Sequence, residues 1–378
     1  MNNVIPFNKP FLIGNELKYI KNVVKAGKIS GDGVFTKKCN QYFKDRFGFN
    51  NVLLTTSCTD ALEMSAILLD IKPGDEVIVP SFTFVSSANA FVLRGAKIIF
   101  ADSTSGHPNV DVTTIAPLIT KKTKVIVLVH YAGTACDIDP IKELADQNGI
   151  HIVEDAAQAI DSYYKGKPLG SFGTFAAFSF HETKNIISGE GGLLVINDEK
   201  FTKRAEIIRE KGTNRSAFFR GEIDKYGWVD IGSSFLPSDI ISAYLYAQLE
   251  NLDKIQSKRK KIWNRYSKNL RSLEKEGKLK VSAVPDFATN NGHIFYILTN
   301  SLAERQNLIT HLNSNEIYPA FHYQSLHDSP YYKQKKYSAV LTNSDYYSDH
   351  LLRLPLYFEL KLKEVDYICE IIANFYKK

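Results

Sequence analysis

The sequence predicts an α/β protein: a mostly parallel central sheet with helices on both faces, followed by a smaller C-terminal α+β domain. Three observations carry that prediction. Up to about residue 200, short apolar runs alternate with helix-like stretches, as expected of strands covered on both faces by crossover helices. From about 237 to 275 the apolar positions take on the period of a long helix. Beyond about 278 strand-like and helix-like segments mix again, which places the large domain at 1–250 and the small one at 251–378. The 378 residues are enough for two cores, and 44% hydrophobic with 23% charged residues is the balance of a soluble globular chain.

The strands are read, in order, at 52–54, 76–79, 97–100, 124–128, 151–153, 175–180 and 192–196. In the helical region that follows, Tyr244, Leu245 and Leu249 share one face, and the run Lys258-Arg259-Lys260-Lys261 is expected to be a solvated face. The C-terminal part holds a strand at 293–298, a helix near 301–312 and a closing helix at 362–376. There is no internal repeat or low-complexity tract.

Several functions are disfavoured at this level. No apolar run approaches the roughly 20 residues that span a bilayer, and Met1 to Phe7 lack the features of a secretory leader, so a cytoplasmic protein without membrane insertion is expected. Four cysteines (Cys39, Cys58, Cys136, Cys369) are scattered, against a disulfide framework or a cysteine metal site, and most of them are expected to be buried. The net charge of +6 comes from dispersed lysines without a nucleic-acid signature; an anionic small substrate accounts for it equally well. No metal site is expected, since there is no H-E-x-x-H motif or His/Cys cluster; His130 and His181 are more simply read as buried, satisfied histidines.

The chemistry concentrates where strands end. In an open parallel sheet ligands gather at the strand C-termini, and Asp155, Ser179 and Lys184 all fall at or just beyond such ends. Lys184 follows an apolar strand within Phe178-Ser179-Phe180-His181-Glu182-Thr183-Lys184-Asn185, and Asp155 opens Asp155-Ala156-Ala157-Gln158. Either residue alone has a plain reading, as a surface lysine or a helix cap. Together they suit pyridoxal phosphate: the lysine holds the aldehyde as a Schiff base, and the carboxylate keeps the pyridine nitrogen protonated. The segment Ser57-Cys58-Thr59 joins a strand to a helix and offers backbone N–H groups and hydroxyls to a phosphate, although simple helix capping uses the same residues. Phe82 and Phe84 follow another strand, where one can cover a cofactor ring or both can be core. Gly189, Gly191 and Gly192 allow close backbone approach. Neither a G-x-G-x-x-G fingerprint nor a P-loop is present, which counts against a nicotinamide-dependent oxidoreductase.

With these motifs, and with Lys211-Gly212-Thr213-Asn214-Arg215-Ser216 and Asp230-Ile231-Gly232-Ser233-Ser234, the whole chain resembles the DegT/DnrJ/EryC1/StrS sugar aminotransferases, which are fold type I pyridoxal phosphate enzymes. The resemblance implies Lys184 as the Schiff-base lysine, Asp155 as the partner of the pyridinium nitrogen, Gln158 beside the ring hydroxyl and Phe84 stacked on the ring. Cys58 (through its backbone), Thr59 and Ser179 match phosphate-binding positions. Where many members carry a Gly-x-Asn-x-Arg run that reaches a neighbouring subunit's phosphate, this chain reads Gly232-Ser233-Ser234-Phe235-Leu236, so Ser234 takes the place of the asparagine. His181, Arg215, Arg220 and His327 are the residues expected to face the substrate. The implied enzyme is a homodimer with shared active sites. It carries the amino group of L-glutamate to C4 of dTDP-4-keto-6-deoxyglucose, a nucleotide-linked keto-deoxyhexose, for surface polysaccharide synthesis. The product is dTDP-4-amino-4,6-dideoxygalactose; the gluco epimer and amination at C3 are the alternatives within the class. A deoxygenating branch has histidine at the lysine position, which Lys184 argues against. A cofactor-binding protein without turnover is the alternative from another class, and the intact Asp155, Gln158 and Lys184 speak against it.

Overall fold

A computed structural model describes residues 4–335 and 339–377. Its large sheet contains β1 (Val52–Thr55), β2 (Glu76–Pro80), β3 (Lys97–Ala101), β4 (Thr123–Val129) and β5 (His151–Asp155). A two-residue-wide ribbon, β6 (Tyr163–Tyr164) with β7 (Lys167–Pro168), interrupts the series before β8 (Phe175–Ser179) and β9 (Gly192–Ile196) complete it. The order across the seven-stranded sheet is β1-β9-β8-β5-β4-β2-β3. Every pairing from β3 to β8 is parallel, and β9 alone runs antiparallel, to both β8 and β1.

Strand β4 shows why the apolar runs are continuous rather than alternating. Ile126 and Leu128 enter one core, while Val125, Val127 and Val129 enter a second core on the opposite face. Successive side chains point to opposite faces, so a strand covered on both sides needs apolar residues at every position. Fully burying each such side chain is worth roughly 1.5–3 kcal/mol.

The expected long helical region is two helices, Asp239–Leu249 and Leu252–Lys275. Leu245 and Leu249 are buried, with Tyr244 packed against the same core. The basic run is not uniformly solvated. Arg259 is only 1% exposed and donates to the carbonyls of Gly292, His293 and Leu356, at 3.0, 2.9 and 3.2 Å. Three carbonyl acceptors satisfy a buried guanidinium that charge-run reasoning places in water, and burial still pushes its pKa down to about 9.

A second sheet is built from β10 (Lys280–Val281), β11 (Phe295–Leu298), β12 (Ala320–Phe321) and β13 (Leu351–Leu354), ordered β10-β11-β13-β12 and antiparallel throughout. Helices Leu252–Lys275, Leu302–Asn313 and Leu362–Tyr376 supply its core with Ile262, Leu308 and Ile368, among others. Ile5 belongs to that core and bridges to Ile317, so the N-terminal segment crosses to the C-terminal part of the chain. Among the described residues no helix is long and apolar enough to cross a membrane. Cys39, Cys136 and Cys369 are buried and Cys58 is partly buried; all four are free thiols.

The strand that delivers Asp155 is anchored one residue earlier. Glu154 is fully buried and accepts N–H bonds from Gly170, Phe172 and Gly173, each at 2.8 Å, while its other neighbour, His130 Nε2, lies 3.0 Å away. Burial alone pushes this carboxyl upward, but His130 and the backbone donors outweigh it and hold it below the usual carboxylate range. The alternation of β5 then turns Asp155 toward the opposite face.

Candidate active site

A cleft of about 720 Å³ opens where the parallel strands end and the second sheet faces them. Of the residues singled out in the sequence, Cys58, Thr59, Phe84, Asp155, Gln158, Ser179, His181 and Lys184 all line it.

One end of the cleft is made by the start of helix Cys58–Leu68. Ser57 is its N-cap, with extended backbone and a hydroxyl that accepts from the Asp60 N–H at 3.1 Å. Thr59 Oγ1 and Ser86 Oγ lie 2.8 Å apart beside it. The first N–H groups of a helix have no intrahelical partner, so this corner is able to accept an anion. Gly192 permits it: a Cβ there would overlap the Ser57 carbonyl and the Cys58 nitrogen, so β9 approaches the corner only because residue 192 is glycine. Gly192→Ala is expected to displace Ser57–Cys58, lowering stability by about 1–3 kcal/mol and weakening cofactor retention. Thermal melts with and without pyridoxal phosphate check this; an unchanged ligand-induced rise in Tm would show that the corner does not bind it.

Asp155 ends β5 with 6% exposure. Ser87 Oγ donates to its Oδ2 at 2.6 Å and the Ala157 N–H to its Oδ1 at 3.2 Å, while Thr83 Oγ1 lies 2.9 Å from Ser87 Oγ. These bonds fix the orientation of the carboxylate. Gln158 is held by the Ala132 N–H, which its Oε1 accepts at 2.6 Å, and by donation of its Nε2 to Tyr323 OH at 3.2 Å.

The two aromatics divide their labour. Phe82 is core, packed against Tyr131, Tyr323 and Tyr347, whereas Phe84 is 56% exposed at the cleft. An exposed ring on the wall of a polar-ended cleft is a ready stacking surface.

Lys184 sits in a turn closed by its own N–H to His181 O at 2.9 Å. Desolvation pushes its amine below the ordinary lysine value, the Asp155 carboxylate opposes that, and Arg353 adds to it. Behind it Asn185 donates to Gln256 Oε1 and Asn291 O, leaving its Oδ1 to accept from His293 Nδ1 at 2.8 Å. His293 is therefore the Nδ1–H tautomer, and burial keeps it neutral. Cys58 also stays protonated, since burial first and Asp155 second push its thiol up.

His181 is not the buried histidine the sequence suggests. Its side chain is 41% exposed on the cleft rim, with Nδ1 3.0 Å from Thr183 Oγ1 and Nε2 3.7 Å from Glu190. Four residues lie outside the cleft. His327 is buried against Ser81, Nδ1 to Oγ 2.7 Å, and so supports the loop before Phe84 instead of facing the cleft. Arg220 is held by Glu206 and Glu222 at 2.9 and 2.7 Å, and Arg215 lies over Phe219 with Glu210 at 3.8 Å. Ser234 is exposed in a bridge to Glu210. Conversely, His293, His322, Tyr323 and Arg353 line the cleft without having been singled out. No motif marks them, because their placement depends on the second sheet closing over the first.

A lysine of lowered pKa, a fixed buried carboxylate, an exposed ring and a helix start on one cleft fit pyridoxal phosphate: Lys184 would hold the aldehyde, Asp155 would face the pyridine nitrogen, and the 57–59 corner would take the phosphate. The fold and site define a pyridoxal-phosphate-dependent aminotransferase. Comparison with known proteins agrees, and the chain belongs to the DegT/DnrJ/EryC1/StrS aminotransferase family, whose model matches residues 11–373. It is similar to GDP-perosamine synthase of Escherichia coli O157:H7, 32% identical over 375 residues and 98% of each chain. Among solved structures it is similar to the aminotransferase TlmJ from Streptoalloteichus hindustanus (TM-score 0.92, 26% identity, 99% of each chain). The PMP form of the putative sugar aminotransferase Spr1654 from Streptococcus pneumoniae gives the same TM-score, 0.92, at 27% identity over 98% of each chain.

Proposed function

We propose that this enzyme transfers the amino group of L-glutamate to C4 of dTDP-4-keto-6-deoxyglucose, giving dTDP-4-amino-4,6-dideoxygalactose and 2-oxoglutarate in the cytoplasm. The observation that carries the reading is the placement of Lys184 and Asp155 on one cleft, with the lysine amine pushed toward its neutral form. A neutral amine can take the proton from the donor's α-carbon and later return one at C4 of the acceptor. The bound cofactor supplies the electron sink that makes both carbons acidic, and Asp155 sustains it by holding a proton on the pyridine nitrogen. Phe84 and the 57–59 corner orient the ring, while His181 at the rim is placed to meet the sugar nucleotide.

A homodimer is part of the proposal. Phe219, Trp228, Val229 and Ile231 are 67%, 83%, 54% and 43% exposed, an apolar surface that a second copy of the chain would cover. Ser234, Arg215 and Arg220 belong to the same stretch and are proposed to serve the neighbouring subunit's cleft rather than their own.

The test is incubation of the enzyme with pyridoxal phosphate, L-glutamate and dTDP-4-keto-6-deoxyglucose, with the product's H3–H4 coupling read by proton NMR. A small coupling with nitrogen at C4 is the expected result. A large diaxial coupling would assign the gluco epimer. Likeness to a GDP-perosamine synthase favours a second reading, in which the nucleotide is GDP. Product from a GDP-linked keto-sugar, with none from the dTDP compound, would establish it.

A further inference from the structure

We infer that His293 is a specificity residue for the sugar substrate: its unprotonated Nε2 accepts a hydrogen bond from the hydroxyl on C3, beside the carbonyl carbon that receives the amine. The inference rests on the proposed 4-keto-sugar reading.

The turn that carries Lys184 and the loop before β11 fix the ring between them. Asn185 commits both amide hydrogens, one to Gln256 Oε1 at 2.8 Å and one to the Asn291 carbonyl at 2.9 Å. A main-chain carbonyl can only accept, so Asn185 Oδ1 is turned the other way and takes the His293 Nδ1–H at 2.8 Å. The backbone of the histidine is held as well. Its N–H donates to Asn291 Oδ1 at 3.0 Å, and its carbonyl accepts from Arg259 at 2.9 Å. Asn291 in turn is anchored on the carbonyls of Gln158 and Ile160, at 2.8 and 3.0 Å. Turning the ring over would leave the buried Asn185 oxygen without a donor, so Nε2 keeps one direction.

With the proton fixed on Nδ1, Nε2 carries a lone pair. Among the described residues it meets no donor and is not sealed from solvent, and the ring lines the cleft at 8% exposure. Burial first, then the charges of Lys184, Arg259 and Arg353, hold the imidazole well below the ordinary histidine value. It therefore stays an acceptor through neutral pH, where a solvated histidine is partly protonated and donates instead. The chemistry of the two substrates decides what it meets. Besides its reacting amine, glutamate offers only carboxylates, whose oxygens a lone pair repels. A 4-keto-6-deoxyhexose carries a hydroxyl on C3, on one side of the reacting carbon, and none on C5, on the other. The residue next to Lys184 holds the imidazole, and both side chains line one cleft, so the donor within reach of Nε2 is the C3 hydroxyl.

The experiment compares the wild type with His293→Phe, which has no acceptor, and His293→Gln, which keeps one. In single turnovers of the amine-loaded enzyme, the acceptor half-reaction is followed by visible absorbance with dTDP-4-keto-6-deoxyglucose and with its 3-deoxy counterpart. The wild type should favour the hydroxylated sugar about tenfold in second-order rate, the scale of one hydrogen bond made or left unmade. His293→Phe should slow the hydroxylated sugar about tenfold and bring the two rates within about threefold of each other. His293→Gln should recover part of the preference. A second readout needs no turnover. In wild-type protein with nitrogen-labelled histidine, unreactive dTDP- and GDP-linked 6-deoxyhexoses should shift the His293 Nε2 resonance, and their 3-deoxy forms should leave it in place. Equal losses with the two keto-sugars in His293→Phe would overturn the inference in favour of a structural role. An equal loss in the donor half-reaction with L-glutamate would overturn it in favour of support for Lys184. A wild type inert to both keto-sugars would sink the proposed substrate, and the titration would still decide the role of His293: a resonance that no hydroxylated ligand moves would overturn the inference.

Discussion

Lys184→Ala is expected to lower turnover by about 10⁴-fold or more, because in the proposed function one amine both holds the cofactor aldehyde covalently and moves the substrate proton. The fold should survive the change. The turn around residue 184 is closed by a backbone bond from its N–H to His181 O, and the adjacent Asn185 is tied to Gln256, Asn291 and His293, all independently of the amine. Matching thermal melts for the two proteins would confirm this, and the variant should lose the visible absorbance of a lysine-held cofactor. The wild-type enzyme adds a pH signature. Desolvation disfavours the charged amine and lowers its pKa, so the neutral, active form accumulates as pH rises and is already dominant below the ordinary lysine value. The rate of the donor half-reaction should therefore climb with pH and level off before that value is reached. A plateau only at or above the ordinary lysine value would mean that the amine is solvated and that another base takes the proton. Retention of more than a hundredth of the activity by Lys184→Ala would remove the residue from the chemistry.

The half of the cleft supplied by the parallel sheet was readable in the sequence because it obeys local rules. Apolar runs locate the strands, and the residues just beyond them are placed by the chain itself: Asp155 by β5, Ser179 and Lys184 by β8, Cys58 and Thr59 by the helix start after β1. The other half obeys no local rule. Arg353 lies in an apolar strand, His322 and Tyr323 follow a two-residue strand, and only the docking of the second sheet brings them to Lys184. Spacing could not separate Phe82 from Phe84, since alternation says that they point to opposite sides and not which side is dry. The arginines show the limit of charge reasoning. Arg259 sits in a basic run and is buried, while Arg215 and Arg220 look free in the sequence and are engaged by carboxylates and a ring. In each case the deciding acceptor, a carbonyl or a carboxylate, comes from a distant part of the chain or from a turn that periodicity does not describe.

Asp155→Asn should lower turnover by about 10³-fold, at the upper end of what removal of one preorganised electrostatic contact costs. The substitution is nearly isosteric and its consequences can be separated. The asparagine carbonyl can still accept from Ser87 Oγ, now 2.6 Å from Oδ2, or from the Ala157 N–H. Glu154, pinned by Gly170, Phe172 and Gly173, keeps β5 in place whatever stands at 155. What would be lost is the negative charge proposed to keep a proton on the pyridine nitrogen, and with it the ring's capacity to draw electrons from the carbon being deprotonated. The deficit should therefore fall on the proton-transfer step, while pyridoxal phosphate still binds through Lys184 and the 57–59 corner. Absorbance should show a loaded enzyme that glutamate converts slowly, with a kinetic isotope effect on α-deuterated glutamate larger than in the wild type. Ser87→Ala, which removes only the hydroxyl that orients the carboxylate, should cost far less, about tenfold. If Asp155→Asn and Ser87→Ala lose the same factor, Asp155 acts by holding the local structure. If the asparagine variant stays within threefold of the wild type, the pyridine nitrogen does not depend on this carboxylate.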